Sequence, residues 1–242
     1  MRWLGPVITV TLLGAAIWYL NDLMGTVRLD EIVTEFETLP VLNIVAAIAC
    51  TAISYFLLAF YDVMGLKHIG YRLPFSKVAG ASFISTAFAH NLGLGFLTGG
   101  SVRYRMYAAA GLSGVDVATV QVFATVTFNV GVAGLAGIAL LLEPAGVIAG
   151  IPDMPPWLGR GMGLVFLGAV FVYVMFCAFY RDSIDVRGME FRFPTLRMAV
   201  GQLLLSAADI TLTALVMYVL LPELTDTSLL VFLGAFVLAV LL

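Results

Sequence analysis

The sequence predicts an all-α polytopic membrane protein, a transmembrane helical bundle of about six spans plus a re-entrant hairpin at 76–112. Three observations predict this class. Of the 242 residues, 62% are hydrophobic and 11% charged, against roughly 45–50% and about 25% in an ordinary soluble domain. Long apolar runs recur along the chain, and short loops of alternating charge connect them. This composition argues against a soluble enzyme, and the 12 Lys and Arg residues, which sit in short clusters rather than along one stripe, argue against nucleic-acid binding.

The apolar runs have the length of membrane-spanning helices, which need about 20 residues to cross about 30 Å of hydrocarbon. We predict spans at 3–20, 40–61, 76–97, 115–142, 159–180 and 196–221. No small-x-small cleavage site precedes Asn21, so the first run is predicted to be an uncleaved span. The last run, 229–242, stops without a polar flank. We therefore expect the chain to be a fragment that ends inside a further span.

Loop charges predict the orientation, because short loops rich in Lys and Arg stay in the cytoplasm. Basic residues dominate the connections at 67–77 and 181–197, which we place inside. Acidic residues dominate 21–37, 143–158 and 222–228, which we place outside. The N-terminus is then cytoplasmic.

A single crossing by 76–97 would contradict this orientation, because Arg103 and Arg105 would lie outside. We therefore expect 76–112 to enter the membrane and return on the cytoplasmic side. Glycines at 93, 95, 99 and 100 each cost a helix about 1 kcal/mol, so we predict a helix break there, inside protein or beside a wet cavity. A glycine-rich spanning helix with a GxxxG contact at 95–99 is the alternative.

The segment 98–107, "TGGSVRYRMY", predicts a site for a lipid phosphate. Ser101 would cap a new helix, whose free N–H groups and positive dipole favour phosphate. Arginine adds a bidentate partner, and Arg103 is favoured because Arg105 points to the opposite side. The predicted phosphate ligands are Gly99, Gly100, Ser101, Arg103 and Arg105, with Tyr107 bordering the headgroup. The alternative is that both arginines only snorkel to the interface.

Asp209 is the second candidate, since it lies near the middle of the span 196–221. An aspartate there costs about 2.5–3.5 kcal/mol on insertion scales and by default marks a functional site. Gln202, Ser206 and Thr213 share its helical face. That face would line a cavity, or would make a hydrogen bond between helices.

Three further residues complete the predicted headgroup cavity. Gln121 and Asn129 belong to a stripe with Thr125 that recurs every four residues and that could meet Asp209 or only pack. Asp62 lies at the end of the second span, where a solvated interfacial carboxylate is ordinary. Tyr61 is assigned to the interfacial aromatic belt.

The chain carries no cofactor or metal motif. Cys50 and Cys177 stand alone in apolar runs, and neither an HExxH nor a GxxxxGK[ST] string occurs. We therefore expect no cofactor, no metal and no catalytic residue.

The stretch 83–137, with the pattern "AFxxNxGxGxLTGGxxRYRxYxxxGL", resembles the membrane region of the MprF (multiple peptide resistance factor) family of lysylphosphatidylglycerol synthase/flippases. The resemblance implies a lipid flippase domain with re-entrant segments in the bacterial inner (cytoplasmic) membrane. Such a domain moves lysylphosphatidylglycerol to the outer leaflet and contributes to resistance against cationic antimicrobial peptides. In complete members a C-terminal synthase domain transfers the aminoacyl group from tRNA to phosphatidylglycerol. We expect such a domain, if present, as a partner in a longer protein.

Three functions therefore stay open. The leading one is lipid translocation, driven by a gradient or by lipid supply because no ATP motif is visible. The second is the membrane part of a phosphatidylglycerol lysyltransferase, which presents lipid to a separate catalytic domain. The third is an ion-coupled secondary transporter with Asp209 as the coupling carboxylate. The oligomeric state, including a homo-oligomer, is open as well.

Overall fold

The computed structural model describes residues 38–92, 95–149, 151, 154–180, 183–186, 189–221 and 227–241. The predicted first span, 3–20, lies outside these residues. The chain divides into two compact units, Met1–Ile44 and Val45–Leu242, and the cavity and its charged side chains belong to the second.

Helices make up most of the described chain. Their bounds are α1 Val41–His68, α2 Phe75–Leu92, α3 Gly95–Ala108, α4 Gly114–Leu142, α5 Pro144–Val147, α6 Pro156–Phe179, α7 Leu196–Leu220 and α8 Leu229–Leu241. Two short strands, β1 Ser183–Val186 and β2 Met189–Arg192, pair antiparallel between α6 and α7. The all-α prediction did not include this hairpin of strands.

Four of the described helices are long and apolar enough to cross a membrane. They are α1, α4, α6 and α7, with 28, 29, 24 and 25 residues. At about 1.5 Å per residue each exceeds the hydrocarbon thickness of about 30 Å. They correspond to four of the predicted spans, while α8 is a shorter apolar helix.

Helices α2 and α3 form an antiparallel helical hairpin. Gly99 of α3 lies against Ser85 and Ala89 of α2, and Tyr107 further along α3 joins Val78 and Ala81 in one apolar cluster. Positions therefore rise along α3 as they fall along α2. A Cβ on Gly99 would lie 2.7 Å from the carbonyl oxygen of Ser85, so the glycine is what permits this close approach.

Helix α2 ends at Leu92 and α3 begins at Gly95, and the two residues between them lie outside the described part of the chain. The predicted helix start at Ser101 is wrong, because α3 begins at Gly95 and contains Gly99, Gly100 and Ser101. Packing of Gly99 on α2 outweighs the helix cost of about 1 kcal/mol per glycine.

Helix α4 forms the centre of the second unit and packs against α6, α7 and α8. Its start is fixed by Ser113, which accepts a hydrogen bond from the Asp116 amide, while the Asp116 carboxylate accepts one from the Ser113 amide. Gly131 lies against Ser206 of α7, and Gly137 against Leu167 of α6. These two glycines therefore leave the space that the neighbouring helices fill.

Candidate functional site

A cavity of about 790 Å³ lies among α1, α2, α3, α4, α7 and α8. Its volume falls within the roughly 300–1,000 Å³ of small-molecule sites. The polar lining residues are Thr51, Ser54, Tyr55, Tyr61, Ser82, Ser85, Thr86, Arg103, Gln121, Thr125, Asp209 and Thr213. Apolar residues from the end of α7 and from α8 border the same space, among them Met217, Phe236 and Val240. The cavity is therefore amphipathic.

Among the residues that the structure describes, Arg103 is one of two charged residues that line the cavity, and it is 8% exposed. Its Nε donates a hydrogen bond to Asp62 Oδ2 at 3.0 Å, and its Nη1 donates to Gln121 Oε1. A guanidinium carries five N–H groups in a planar fork. These two bonds leave N–H groups for an anionic ligand.

Asp62 is completely buried, so the expectation of a solvated interfacial carboxylate is wrong. Its Oδ2 accepts hydrogen bonds from Arg103 and from Tyr107 Oη, the latter at 2.6 Å. Its Oδ1 has no hydrogen-bond partner among the described residues. Leu66, one turn later on α1, packs with residues of α2, α3 and α4, which explains why water does not reach this side of α1. Asp62 and Tyr107 support Arg103 rather than line the cavity.

Asp209 is the other charged residue of the lining, as predicted, and it is 4% exposed. Its Oδ1 accepts a hydrogen bond from Ser54 Oγ at 2.6 Å, and its Oδ2 accepts one from Tyr61 Oη at 3.0 Å. Both donors belong to α1, whereas Asp209 belongs to α7. Tyr61 is itself 4% exposed, so its assignment to the interfacial belt is wrong.

Side chains of α1 therefore make hydrogen bonds to both charged residues of the cavity lining. The adjacent residues Tyr61 and Asp62 reach in different directions, one to Asp209 on α7 and the other to Arg103 on α3. The partners of the two charged residues are thus neighbours in sequence on α1.

Gln121 lines the cavity as predicted, but Gln202 and Asn129 do not. Gln202 is completely buried. It donates to Thr127 Oγ1 at 2.7 Å and accepts from Tyr173 Oη at 2.6 Å, so it joins α4, α6 and α7. Helix α4 covers the face of α7 that carries Gln202, because Gly131 lets α4 approach α7 closely.

Asn129 is exposed and donates back to the Thr125 carbonyl of its own helix at 2.8 Å.

The predicted phosphate ligands of α3 separate into two groups. Gly99 and Arg103 line the cavity, whereas Ser101 and Arg105 are exposed. Arg103 and Arg105 thus face different sides, as their spacing predicted. The amides of Gly99, Gly100 and Ser101 lie beyond the first four residues of α3, where N–H groups are bonded within the helix. They therefore cannot act as the predicted helix-start amides.

Several cavity residues were missed at the level of sequence. Thr51, Ser54, Leu58 and Tyr61 line the cavity from α1, at spacings of three and four residues that mark one helical face. Ser82, Ser85, Thr86 and Ala89 do the same on α2. Hydroxyl groups hardly lower the hydropathy of such a run. Only the helical spacing of these residues could have indicated a cavity-lining face.

No protein-family model matches the chain. The chain is 30% identical over 185 residues to the inner membrane protein YbhN of Escherichia coli (strain K12), which covers 74% of this chain and 56% of YbhN. It is 26% identical over 212 residues to the uncharacterized protein slr0712 of Synechocystis sp., which covers 87% of this chain and 65% of that protein. The chain thus matches less than two thirds of either relative's length. With its four apolar helices, this similarity identifies the chain as a helical protein embedded in a membrane.

Proposed function

We propose that this chain moves a phospholipid, an aminoacylated phosphatidylglycerol such as the lysyl form, from the inner to the outer leaflet of a bacterial inner membrane. The observation that carries the proposal is a buried arginine and a buried aspartate on the wall of one cavity inside an apolar helical bundle. Charged residues within membrane segments are costly and mark substrate pathways by default. The name of the relative YbhN as an inner membrane protein supports the location.

The chemistry of the two charges suits the two ends of such a headgroup. Arg103 keeps N–H groups available for phosphate oxygens, which guanidinium binds in bidentate fashion. Asp209 offers a carboxylate in the same cavity for the ammonium of a lysyl group. A polar groove is required because moving such a headgroup through hydrocarbon without partners is prohibitively costly.

The size of the cavity suits a headgroup whose acyl chains stay in the bilayer. The roughly 790 Å³ fall in the range of sites for drug-sized ligands. Met217, Phe236 and Val240 border the space with apolar surface along which a chain could run.

The helical hairpin of α2 and α3 is, in this proposal, the re-entrant element predicted for 76–112. Its helices have 18 and 14 residues, or about 27 and about 21 Å at 1.5 Å per residue. Both lengths are below the hydrocarbon thickness of about 30 Å.

The test is lipid translocation in vesicles that contain the full chain and trace phosphatidylglycerol or lysylphosphatidylglycerol labelled on an acyl chain. Dithionite quenching from one side measures transfer. Arg103→Lys keeps the charge beside Asp62 but removes the planar fork, so we expect slower translocation of both lipids. Loss of one charge-assisted contact, about 1.5–3 kcal/mol, corresponds to roughly 10- to 150-fold.

Asp209→Asn separates the two ends of the headgroup. It removes the carboxylate charge, so the lysyl lipid slows while phosphatidylglycerol does not. The matched controls are Arg160→Lys and Glu143→Gln, both exposed and outside the cavity lining. Wild-type rates in Arg103→Lys and Asp209→Asn would contradict the proposal.

An ion-coupled transporter is the second candidate, because two hydroxyl groups contact the Asp209 carboxylate and a third lies near one of them. Ser54 and Tyr61 donate to it, and Thr213 Oγ1 lies 3.4 Å from Ser54 Oγ. Ion flux without lipid transfer in the same vesicles would favour this function. Lipid binding without transfer would favour presentation to a separate synthase domain.

A further inference from the structure

The two oxygens of the buried Asp62 carboxylate are bonded very unequally. Oδ2 accepts from both Arg103 and Tyr107, whereas Oδ1 is buried and has no partner among the described residues. Nearly all buried polar atoms in proteins are hydrogen-bonded, so an exception calls for an explanation. An oxygen that accepts nothing when the group is charged is free to carry a proton.

The charge that compensates Asp62 also belongs to the cavity. Arg103 lines the cavity while its Nε is bonded to Asp62 at 3.0 Å. An anion that enters must share this guanidinium with Asp62 or take it over. A buried carboxylate that loses its counter-charge is neutralised by a proton rather than left charged.

Among the groups that face Asp62, Arg103 is the one whose departure would change the charge balance of the carboxylate. From α3 they are Arg103 and Tyr107. On α1 the neighbouring Tyr61 donates to Asp209 instead. From α4, Gln121 bonds to Arg103 and is not titratable. On α2, Lys77 is exposed, and on α4 the half-buried Asp116 caps its own helix through Ser113.

We infer that Asp62 takes up a proton on Oδ1 when an anionic group in the cavity draws Arg103 away from it, so that anion binding is coupled to proton uptake. The proton comes from a hydronium ion of the buffered solution, which becomes water, and it forms the O–H bond of a carboxylic acid, while Arg103 stays cationic. One anion and one proton enter together, and both leave together. The inference rests on the proposed function, in which the anion is the phosphate of a lipid.

Calorimetry of the purified chain in detergent tests this coupling, with dihexanoyl phosphatidylglycerol as the probe. Titrations in buffers of different ionisation enthalpy give the number of protons bound per ligand. We expect uptake approaching one proton in the wild type, and an affinity that falls up to about tenfold per pH unit as pH rises. Asp62→Asn should abolish uptake, flatten the pH profile and bind at least as tightly, because Arg103 is released from a charged competitor. Asp209→Asn should keep the uptake.

If Asp62→Asn does not fold, Tyr107→Phe provides a second test of the coupling. Tyr107 is buried away from the cavity and donates to the charged form of Asp62. Its loss makes the proton bind more readily, so the affinity profile should move to higher pH. A role of Tyr107 in packing alone would lower stability without moving that profile.

Inorganic phosphate in a parallel titration distinguishes a free anion from a lipid headgroup. Binding of either probe without proton uptake, or an Asp62→Asn profile like that of the wild type, would overturn the coupling and leave lipid transport standing. Binding of inorganic phosphate but not of the lipid, with uptake, would retain the coupling and contradict the lipid substrate. Absence of binding by both probes would overturn both.

Discussion

The packing of the helical hairpin predicts opposite effects for alanine at two neighbouring glycines. A Cβ on Gly99 would lie 2.7 Å from the Ser85 carbonyl oxygen and 3.0 Å from Ala89 Cβ. Carbon–oxygen contacts begin at about 3.3 Å, so α3 must move by about 0.6 Å. The neighbouring contact is backbone of α2 and cannot rotate away. Gly100, in contrast, has nothing within 4 Å of such a Cβ.

The magnitude follows from the difference between the two variants. Replacing glycine by alanine inside a helix contributes about 0.8–1 kcal/mol in both, so this contribution cancels. What is left is the overpacking at Gly99, about 1–3 kcal/mol. Gly100→Ala should therefore unfold at or above the wild-type temperature, and Gly99→Ala below that of Gly100→Ala by about 2–4 °C per kcal/mol.

Thermal unfolding in detergent, followed by circular dichroism, measures both variants under the same conditions. The translocation assay adds a second readout, because Arg103 lies one turn after Gly99 and bonds Asp62 at 3.0 Å. We expect Gly99→Ala to slow lipid transfer and Gly100→Ala to leave it unchanged. If Gly99→Ala unfolds at the same temperature as Gly100→Ala or higher, the close approach of α2 and α3 is refuted.

Three other measurements test the site and the topology. Tyr61→Phe removes one donor that competes with a headgroup for Asp209, so calorimetry should show tighter binding of lysylphosphatidylglycerol, by about two- to thirteenfold, as for a bond of about 0.5–1.5 kcal/mol; an unchanged or weaker affinity would argue against this competition. Gln202→Leu leaves Thr127 and Tyr173 without their partner and should lower the free energy of unfolding by about 1–3 kcal/mol, whereas the exposed Asn129→Ala should change it by less than about 0.5 kcal/mol. Single cysteines at the exposed positions 105 and 143, in a chain with Cys50 and Cys177 replaced by alanine, should be labelled from opposite sides of the membrane with 105 cytoplasmic; the reverse pattern, with 105 outside and 143 inside, would contradict the re-entrant hairpin.

The spans and the central carboxylate could be predicted from sequence because each depends on a local property. Apolar length alone located α1, α4, α6 and α7. The insertion cost of an aspartate near mid-membrane marked Asp209, and the two-residue spacing separated Arg103 from Arg105. None of these inferences requires knowledge of a neighbouring helix.

The errors arose where a distant contact decides the outcome. Serine is a common helix cap, yet α3 begins before Ser101, at Gly95, because Gly99 packs on α2. Asp62 lies at the place of a solvated carboxylate, yet the helical hairpin supplies Arg103 and Tyr107 to it. Gln202 shares a helical face with Asp209, yet α4 covers that face at one depth and leaves it open at the other.

The contacts of α1 imply an order of events during transport. Ser54 and Tyr61 hold Asp209, and Asp62 holds Arg103, so a headgroup that engages both charges competes with α1 at both of them. Once Asp62 carries a proton, α1 has lost its ion pair to α3, while Gly65 still packs against Val120 of α4. The part of α1 that borders the cavity, from Thr51 to Tyr61, then keeps its contacts with α2, among them the hydrogen bond from Ser82 Oγ to the Leu58 carbonyl. Opening toward the bilayer should therefore follow headgroup binding and proton uptake, because before them the ion pair and both hydroxyl contacts keep α1 in place.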